Sequence, residues 1–275
     1  MKLVWPPLAL FVLIVVIWDI AVRFGLVSEY ILPAPADVFL AMISLAGSSF
    51  FWGHAGVTAY ETIGGFLLGS AFAFILAVLA GFWPFFRTMI SPFMVALQVT
   101  PRVALTPIII AWLGFGPEPK IVLAATICFF PVFINTLTGI ESVDSESREL
   151  YRSLLASKWQ TFCQLTLPSA TPIIFAGLKT AMTLALIGAI VGEFVSAQEG
   201  LGLLVKQFSF QLSMDSAFAV LLYLTLLGLI LYLAMEYLDR RLVFWTHDAR
   251  LDRLTRVHER KDLRLREKTA GDASA

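Results

Sequence analysis

The chain has 275 residues, 58% of them hydrophobic and 15% charged, and its 20 basic and 20 acidic side chains cancel to a formal charge of zero. A soluble domain carries about a quarter charged residues, whereas here the apolar residues gather in blocks of about 20, the length that crosses a hydrocarbon core about 30 Å thick. Composition therefore excludes an ordinary soluble domain, and the lack of short alternating segments excludes a membrane β-barrel; the expected class is an all-α polytopic membrane protein.

The first apolar block runs over about 4–22 behind Lys2. No small-residue cleavage site follows it, and Asp19 and Arg23 stand four apart where a helix pairs them at the interface, so it reads as a retained span. The Pro-punctuated stretch "SEYILPAPADVF" and a weakly amphipathic segment to about Tyr60 come next. Further spans are expected over about 61–82, 88–113, 119–140, 172–194 and 216–238, making six. Ten of the 20 basic residues follow Asp239, interspersed with six acids, so the end of the chain reads as a solvated charged tail rather than a nucleic-acid arm. A tail of that kind beside the last span belongs to the cytoplasm, and an even number of spans returns the N-terminus there too. Arg87, Arg148, Arg152, Lys158 and Lys179 then fall on the inner side, leaving Arg23, Lys120 and Lys206 near outer ends. The expected division is a transmembrane domain over 1–245 and a cytoplasmic tail over 246–275.

Between the fourth and fifth spans lies a polar insert over about 141–171. Its front half, "SVDSESRELYRSLLAS", is helix-prone, with Ser142, Asp144 or Ser145 as N-caps. A break is expected at Ala156-Ser157, then a second short helix, "KWQTFCQLTL", ending before Pro168. The apolar side chains of the insert suit a helix at the membrane face, either presented to a partner or resting on lipid headgroups.

These residues resemble the transmembrane subunits of binding-protein-dependent ABC importers. The signature of that family is Glu-Ala-Ala, three residues, Gly, nine residues, Ile, one residue, Leu-Pro. Here Glu149, Leu165 and Leu167-Pro168 keep the spacing without a gap, while Leu150, Tyr151 and Leu155 replace the two Ala and the Gly that sits at the bend in that family. "YILPAPADVF", "TPRVALTPIIIAWLGFGPEPKI" and "GLKTAMTLALIGAIVGEF" followed by "GLG" are similar to the nitrate, sulfonate and taurine branch, over about residues 10 to 245.

The resemblance implies a permease in the bacterial inner membrane whose insert is a coupling helix docking an ATPase subunit through Tyr151, Leu154, Leu155 and Trp159, with Glu149 orienting it and Leu165 and Pro168 closing the signature. It implies two copies of this chain, two ATPase subunits and an extracytoplasmic substrate-binding protein. Substrates of that branch include nitrate, sulfonates, taurine and vitamin-precursor heterocycles. The chain carries no G-x-x-x-x-G-K-[ST] phosphate loop, so ATP is expected on the partner, with no cofactor and no enzymatic role here.

Charges inside spans are costly and face a bundle interior or an aqueous route. Arg102, between Pro101 and Pro107, has two readings: a pathway group favouring anions, or a structural charge paired to a carboxylate or to carbonyls freed by the prolines. Glu193 either lines the outer gate or pairs with Lys206 or Arg102. Glu61 and Glu118-Pro119-Lys120 read as interface anchors, and Gly64-Gly65, Gly69, Ser70, Gly177, Gly188 and Gly192 as points of close helix approach. His54, His247 and His258 are scattered, and Cys128 and Cys163 share no metal-like spacing, so neither a metal site, a disulfide nor a catalytic residue is expected. The competing function is an ion-gradient-driven secondary transporter, which calls for an internal repeat and acids in broken spans.

Overall fold

The computed structural model describes residues 5–196 and 198–245, all helix and turn with no strand among them. The charged tail expected over 246–275 lies outside the described residues. In chain order the helices are α1 (Trp5–Arg23), α2 (Pro35–Ala46), α3 (Ser49–Phe82), α4 (Pro84–Val99), α5 (Thr106–Leu113), α6 (Glu118–Glu141), α7 (Ser145–Ser153), α8 (Lys158–Thr161), α9 (Leu167–Ser196), α10 (Leu201–Phe210) and α11 (Met214–Leu242). A 3₁₀ turn, Arg102–Leu105, precedes α5, and a π turn, Phe162–Thr166, joins α8 to α9.

Helix α6 sits between α3 and α9, and these three form the core. Their facing positions are small: Ala73 and Ala77 on α3, Ala124 and Cys128 on α6, Ala181, Ala185 and Ala189 on α9. Small side chains let backbones approach, which is how helices associate where lipid supplies no hydrophobic drive. Where α9 crosses α6, a Cβ on Gly188 would lie 2.7 Å from the Ala124 Cα, so only glycine fits; where α3 crosses α6, Gly69 meets Ala125 and Cys128 in the same way. A second cluster of Phe51, Leu201, Leu204, Val205, Val220 and Leu224 seats α10 against α3 and α11. Lys179 ties α9 to α11 through Glu236 and Asp239, each at 2.8 Å. The outward side chains of α1, from Leu8 to Ile20, are apolar and exposed, the surface a helix presents to lipid.

Two of the expected elements differ in the structure, the span over 88–113 and the stop before Pro168. Among the described residues, length and composition admit four spanning helices: α3, α6, the continuous run Lys158–Ser196, and α11. A fifth appears if α4 and the segment 102–113 are one span, and that pair is bent by 88°. This count does not reproduce six; the first expected span corresponds to the 19-residue α1. The span expected over 88–113 is broken because Pro101 lacks an N–H and drives Thr100 to ψ 127°, out of the helical region. The expected stop before Pro168 does not occur either. The π turn widens the helix ahead of the proline ring, so the chain runs on from α8 into α9.

Candidate functional site

The insert forms as two helices around a bend. Asp144 caps α7, its Oδ2 accepting from the Ser147 N–H at 3.1 Å. Helix α7 closes with the Leu155 N–H donating to the Arg152 carbonyl and the Ala156 N–H to the Tyr151 carbonyl, both at 3.0 Å. Closing that turn places Leu155 at φ 56°, the left-handed conformation that glycine adopts without penalty. The bend is therefore kept where the family signature has glycine. Ser157 then starts α8 with a reciprocal capping box to Gln160.

Polar and aromatic contacts hold the insert to the bundle, among them Phe162 on Phe82 at 4.7 Å. Arg148 donates from Nη2 to the Ile140 carbonyl at 2.7 Å, Arg87 pairs with Glu141, and the Trp159 ring stacks on Phe82 at 6.2 Å. Leu154, Leu155 and Trp159 remain 69%, 91% and 65% exposed, with Glu149 and Leu150 also at the surface. Tyr151, Leu165 and Pro168 are half-buried; the latter two lie at the junction with α9, apart from the exposed ridge. A cavity of about 300 Å³ beneath the insert is lined by Arg148, Arg152 and Lys158.

Arg102 lies at the broken span, in the wall of a cavity of about 440 Å³ between α3, α4 and α6. Leu68, Phe72, Leu97, Val122 and Phe129 make it apolar, and Thr100 and Thr126 add hydroxyls. The guanidinium donates from Nη1 to the Ile127 carbonyl at 3.3 Å and stands 5.6 Å over the Phe130 ring. Among the described residues its partners are thus a carbonyl and a ring face. A guanidinium has five N–H donors in a fixed fork, so one carbonyl leaves donors for a ligand in the cavity.

Glu193 is not paired with either expected partner. Lys206 donates instead to the Phe194 carbonyl at 3.0 Å, and Arg102 is occupied as above. The Glu193 carboxylate, fully buried, accepts from the Thr58 hydroxyl and from the Gly202 N–H, each at 2.6 Å. The Leu201 N–H reaches the Thr58 oxygen, and the Gly200 N–H reaches His54 Nδ1, both at 2.8 Å. Three successive amides at the start of α10 are thereby satisfied by side chains, and a carboxylate sits where the helix dipole is positive. Gly200, at φ 118°, admits the carboxylate where a side chain would collide with it.

Glu61 and Lys120, expected at interfaces, are buried, with the Lys120 side chain packed at Gly192, next to Glu193 in the chain. Lys120 Nζ lies 3.5 Å from Glu61 Oε1, an ion-pair distance without hydrogen-bond geometry, and it donates to the Gly116 carbonyl at 3.1 Å. Sequence reading treated His54 as scattered and assigned Thr58 nothing. The available signal was their spacing: His54, Thr58, Glu61 and Thr62 mark one face of an otherwise apolar helix.

A broken span beside a lined cavity, small-residue helix crossings and a polar two-helix insert describe a multi-pass membrane protein. Residues 65–244 match the family described as binding-protein-dependent transport system inner membrane component, and the chain belongs to it. It is 32% identical to the formylaminopyrimidine transport permease protein ThiX of Halalkalibacterium halodurans, over 87% of this chain and 95% of that one. It is 34% identical to the riboflavin transport system permease protein RibX of Chloroflexus aurantiacus, over 88% and 91%. Identity to the taurine transport system permease protein TauC of Escherichia coli K12 is 27%, over 85% and 86%. The fold matches an inward-facing MetNI methionine ABC transporter structure with a TM-score of 0.61 at 16% identity, over 70% of this chain and 95% of that chain. The protein is a permease of the ABC importer class, and such a permease acts as a transport component rather than as an enzyme.

Proposed function

We propose that this permease forms the translocation route for a small polar or anionic solute, delivered by an extracytoplasmic binding protein and driven by ATP hydrolysed on separate ATPase subunits. Two copies of the chain enclose the route, with no cofactor in either, and both chain ends face the cytoplasm. The insert over 141–171 docks the ATPase through Tyr151, Leu154, Leu155 and Trp159, with Glu149 orienting α7 and Leu165 and Pro168 fixing the joint to α9. Arg102 belongs to the route, and Glu193 holds the α10 turn beside it.

The observation that carries this reading is the exposed ridge of Leu154, Leu155 and Trp159 on a capped helix pair. Isolated apolar side chains at that exposure are ordinary, but three of them within six residues of an otherwise polar insert suit a contact surface. For the solute, support comes from Arg102 in an apolar cavity and from relatives named for taurine, riboflavin and formylaminopyrimidine transport. Within a low-dielectric wall a guanidinium attracts an anion several-fold more strongly than in bulk water.

Alternating access then needs only that ATP and the loaded binding protein favour different states of the paired bundles. Reconstitution with a cognate ATPase subunit and binding protein tests the reading: uptake should require all three components and ATP. Uptake driven by an ion gradient without the ATPase would replace it with the secondary-transporter mechanism. Cytoplasmic signals from reporter fusions after Asp144 and Arg250 are expected, and a periplasmic signal from either would overturn the orientation.

A further inference from the structure

Three cations line the cavity of about 300 Å³ under the insert: Arg148 and Arg152 from α7, and Lys158 from the start of α8. Arg148 and Arg152 stand four apart on one face of α7, a spacing at which like charges repel. Among the described residues no acid lines the cavity. Glu141 is taken by Arg87, and Glu146 and Glu149 are exposed on α7, outside the lining. Arg152 and Lys158 make no ion pair and no side-chain hydrogen bond among the described residues.

Arg148 is held in place from behind. Its Nη2 donates to the Ile140 carbonyl at 2.7 Å, and its Nε is buried with no partner. An unpaired buried donor bears its desolvation cost until an acceptor meets it. The guanidinium fork matches a phosphate in two parallel bonds, and two further cations beside it suit a group with several anionic oxygens.

The place of the cavity selects where that phosphate comes from. Helix α3 ends at Phe82 and α6 at Glu141, so the cavity opens where two spanning helices leave the hydrocarbon. Phe82, Ile140 and Phe162 supply its apolar wall. Trp83, 59% exposed, follows α3 at the same level, where indole rings sit among headgroups. Cations above apolar side chains at this depth fit a molecule whose phosphate lies in the headgroup layer and whose chains lie below it.

We propose that this cavity binds an anionic phospholipid, its phosphate held between Arg148, Arg152 and Lys158, and that the lipid fastens the insert to the ends of α3 and α6. Binding there requires neither the ATPase nor the transported solute, so it is tested on the permease alone.

The test uses the purified full-length permease in a neutral detergent, with phosphatidylglycerol or phosphatidylcholine added. Native mass spectrometry reads the bound lipid, and thermal unfolding reads its effect on the fold. Phosphatidylglycerol should be retained in preference to phosphatidylcholine and should raise the unfolding midpoint. The Arg152→Gln, Lys158→Gln double variant loses two exposed side chains that bond to nothing described, so in phosphatidylcholine it should unfold like wild type. Its phosphatidylglycerol binding should be weaker by about tenfold or more. A control, Arg240→Gln with Arg241→Gln, removes the same charge at the end of α11 and should bind like wild type within about twofold. Equal retention of the two lipids would overturn the proposal, as would an equal loss in the control, which would make the attraction a diffuse one. Inorganic phosphate, titrated at constant ionic strength, should protect less than phosphatidylglycerol does. Protection as large from phosphate alone would assign the cavity to a soluble anion and overturn the lipid.

Discussion

Leu155 combines two features that separate substitutions resolve: a left-handed backbone at φ 56° and a side chain 91% exposed. An L-residue in that conformation costs about 1–2 kcal/mol, and glycine escapes the cost while losing about 0.5–1 kcal/mol of unfolded-chain entropy. Leu155→Gly should therefore leave stability unchanged or raise it by up to about 1 kcal/mol, since almost no buried surface is lost. Leu155→Ala keeps the strain and removes the same side chain, so it should unfold more easily than Leu155→Gly by about 1 kcal/mol. On the ATPase the two should behave alike. Burying a leucine at an interface contributes about 1.5–3 kcal/mol, and each 1.4 kcal/mol is about tenfold, so both variants should bind the ATPase about 10- to 100-fold more weakly. Thermal unfolding in detergent and titration with purified ATPase supply the two readouts. Equal stabilities for the Gly and Ala variants would refute the strain argument, and unchanged ATPase affinity would remove Leu155 from the interface.

Arg102→Lys should keep part of the uptake per assembled complex, because charge survives while the planar donor fork is lost, and Arg102→Gln should lose more; loss of assembled protein with unchanged uptake per complex would make Arg102 structural. Gly188→Ala should destabilise the bundle by about 1–3 kcal/mol despite its better helix propensity, because the new Cβ meets the Ala124 backbone rather than a movable side-chain end; a higher unfolding temperature would contradict that packing. Lys179→Met removes the cation that Asp239 and Glu236 share and leaves Glu236 with Arg240 alone, so it should lower the unfolding temperature, and Asp239→Asn in that background should restore part of the loss. No recovery in the double variant would show that the three groups are not energetically linked.

The features legible in the sequence were those encoded locally. Apolar blocks near 20 residues marked α3, α6, α9 and α11, because the hydrocarbon thickness sets that length. The insert was legible because caps act over three residues: Asp144 and Ser157 fall where the helix starts were expected. The glycines of α9 read correctly as close approaches, since Gly188 meets Ala124. Prolines were visible, but their outcome depended on context. Pro101 broke the third span at its centre, whereas Pro168 was absorbed by a π turn. The pairing of charges was beyond local pattern. Thr58 and Glu193 are 135 positions apart, and Glu61 meets Lys120 only because small residues bring α3 and α6 together. Glu193 stands near Lys206 in the chain, yet the turn before α10 aims its carboxylate at Thr58 and Gly202 instead.

The central claim is that the insert transmits ATP hydrolysis from a partner subunit to this permease. Its most direct test is ATP-driven uptake per assembled complex in proteoliposomes holding the ATPase and binding protein, comparing wild type with the Glu149→Ala, Trp159→Ala double variant. Glu149 is exposed and Trp159 is 65% exposed, while Phe162 keeps its own contact with Phe82, so the variant should still insert and fold. The account predicts that its uptake collapses while the ATPase either dissociates or hydrolyses ATP without moving solute. Uptake equal to wild type, at equal amounts of complex, would contradict it.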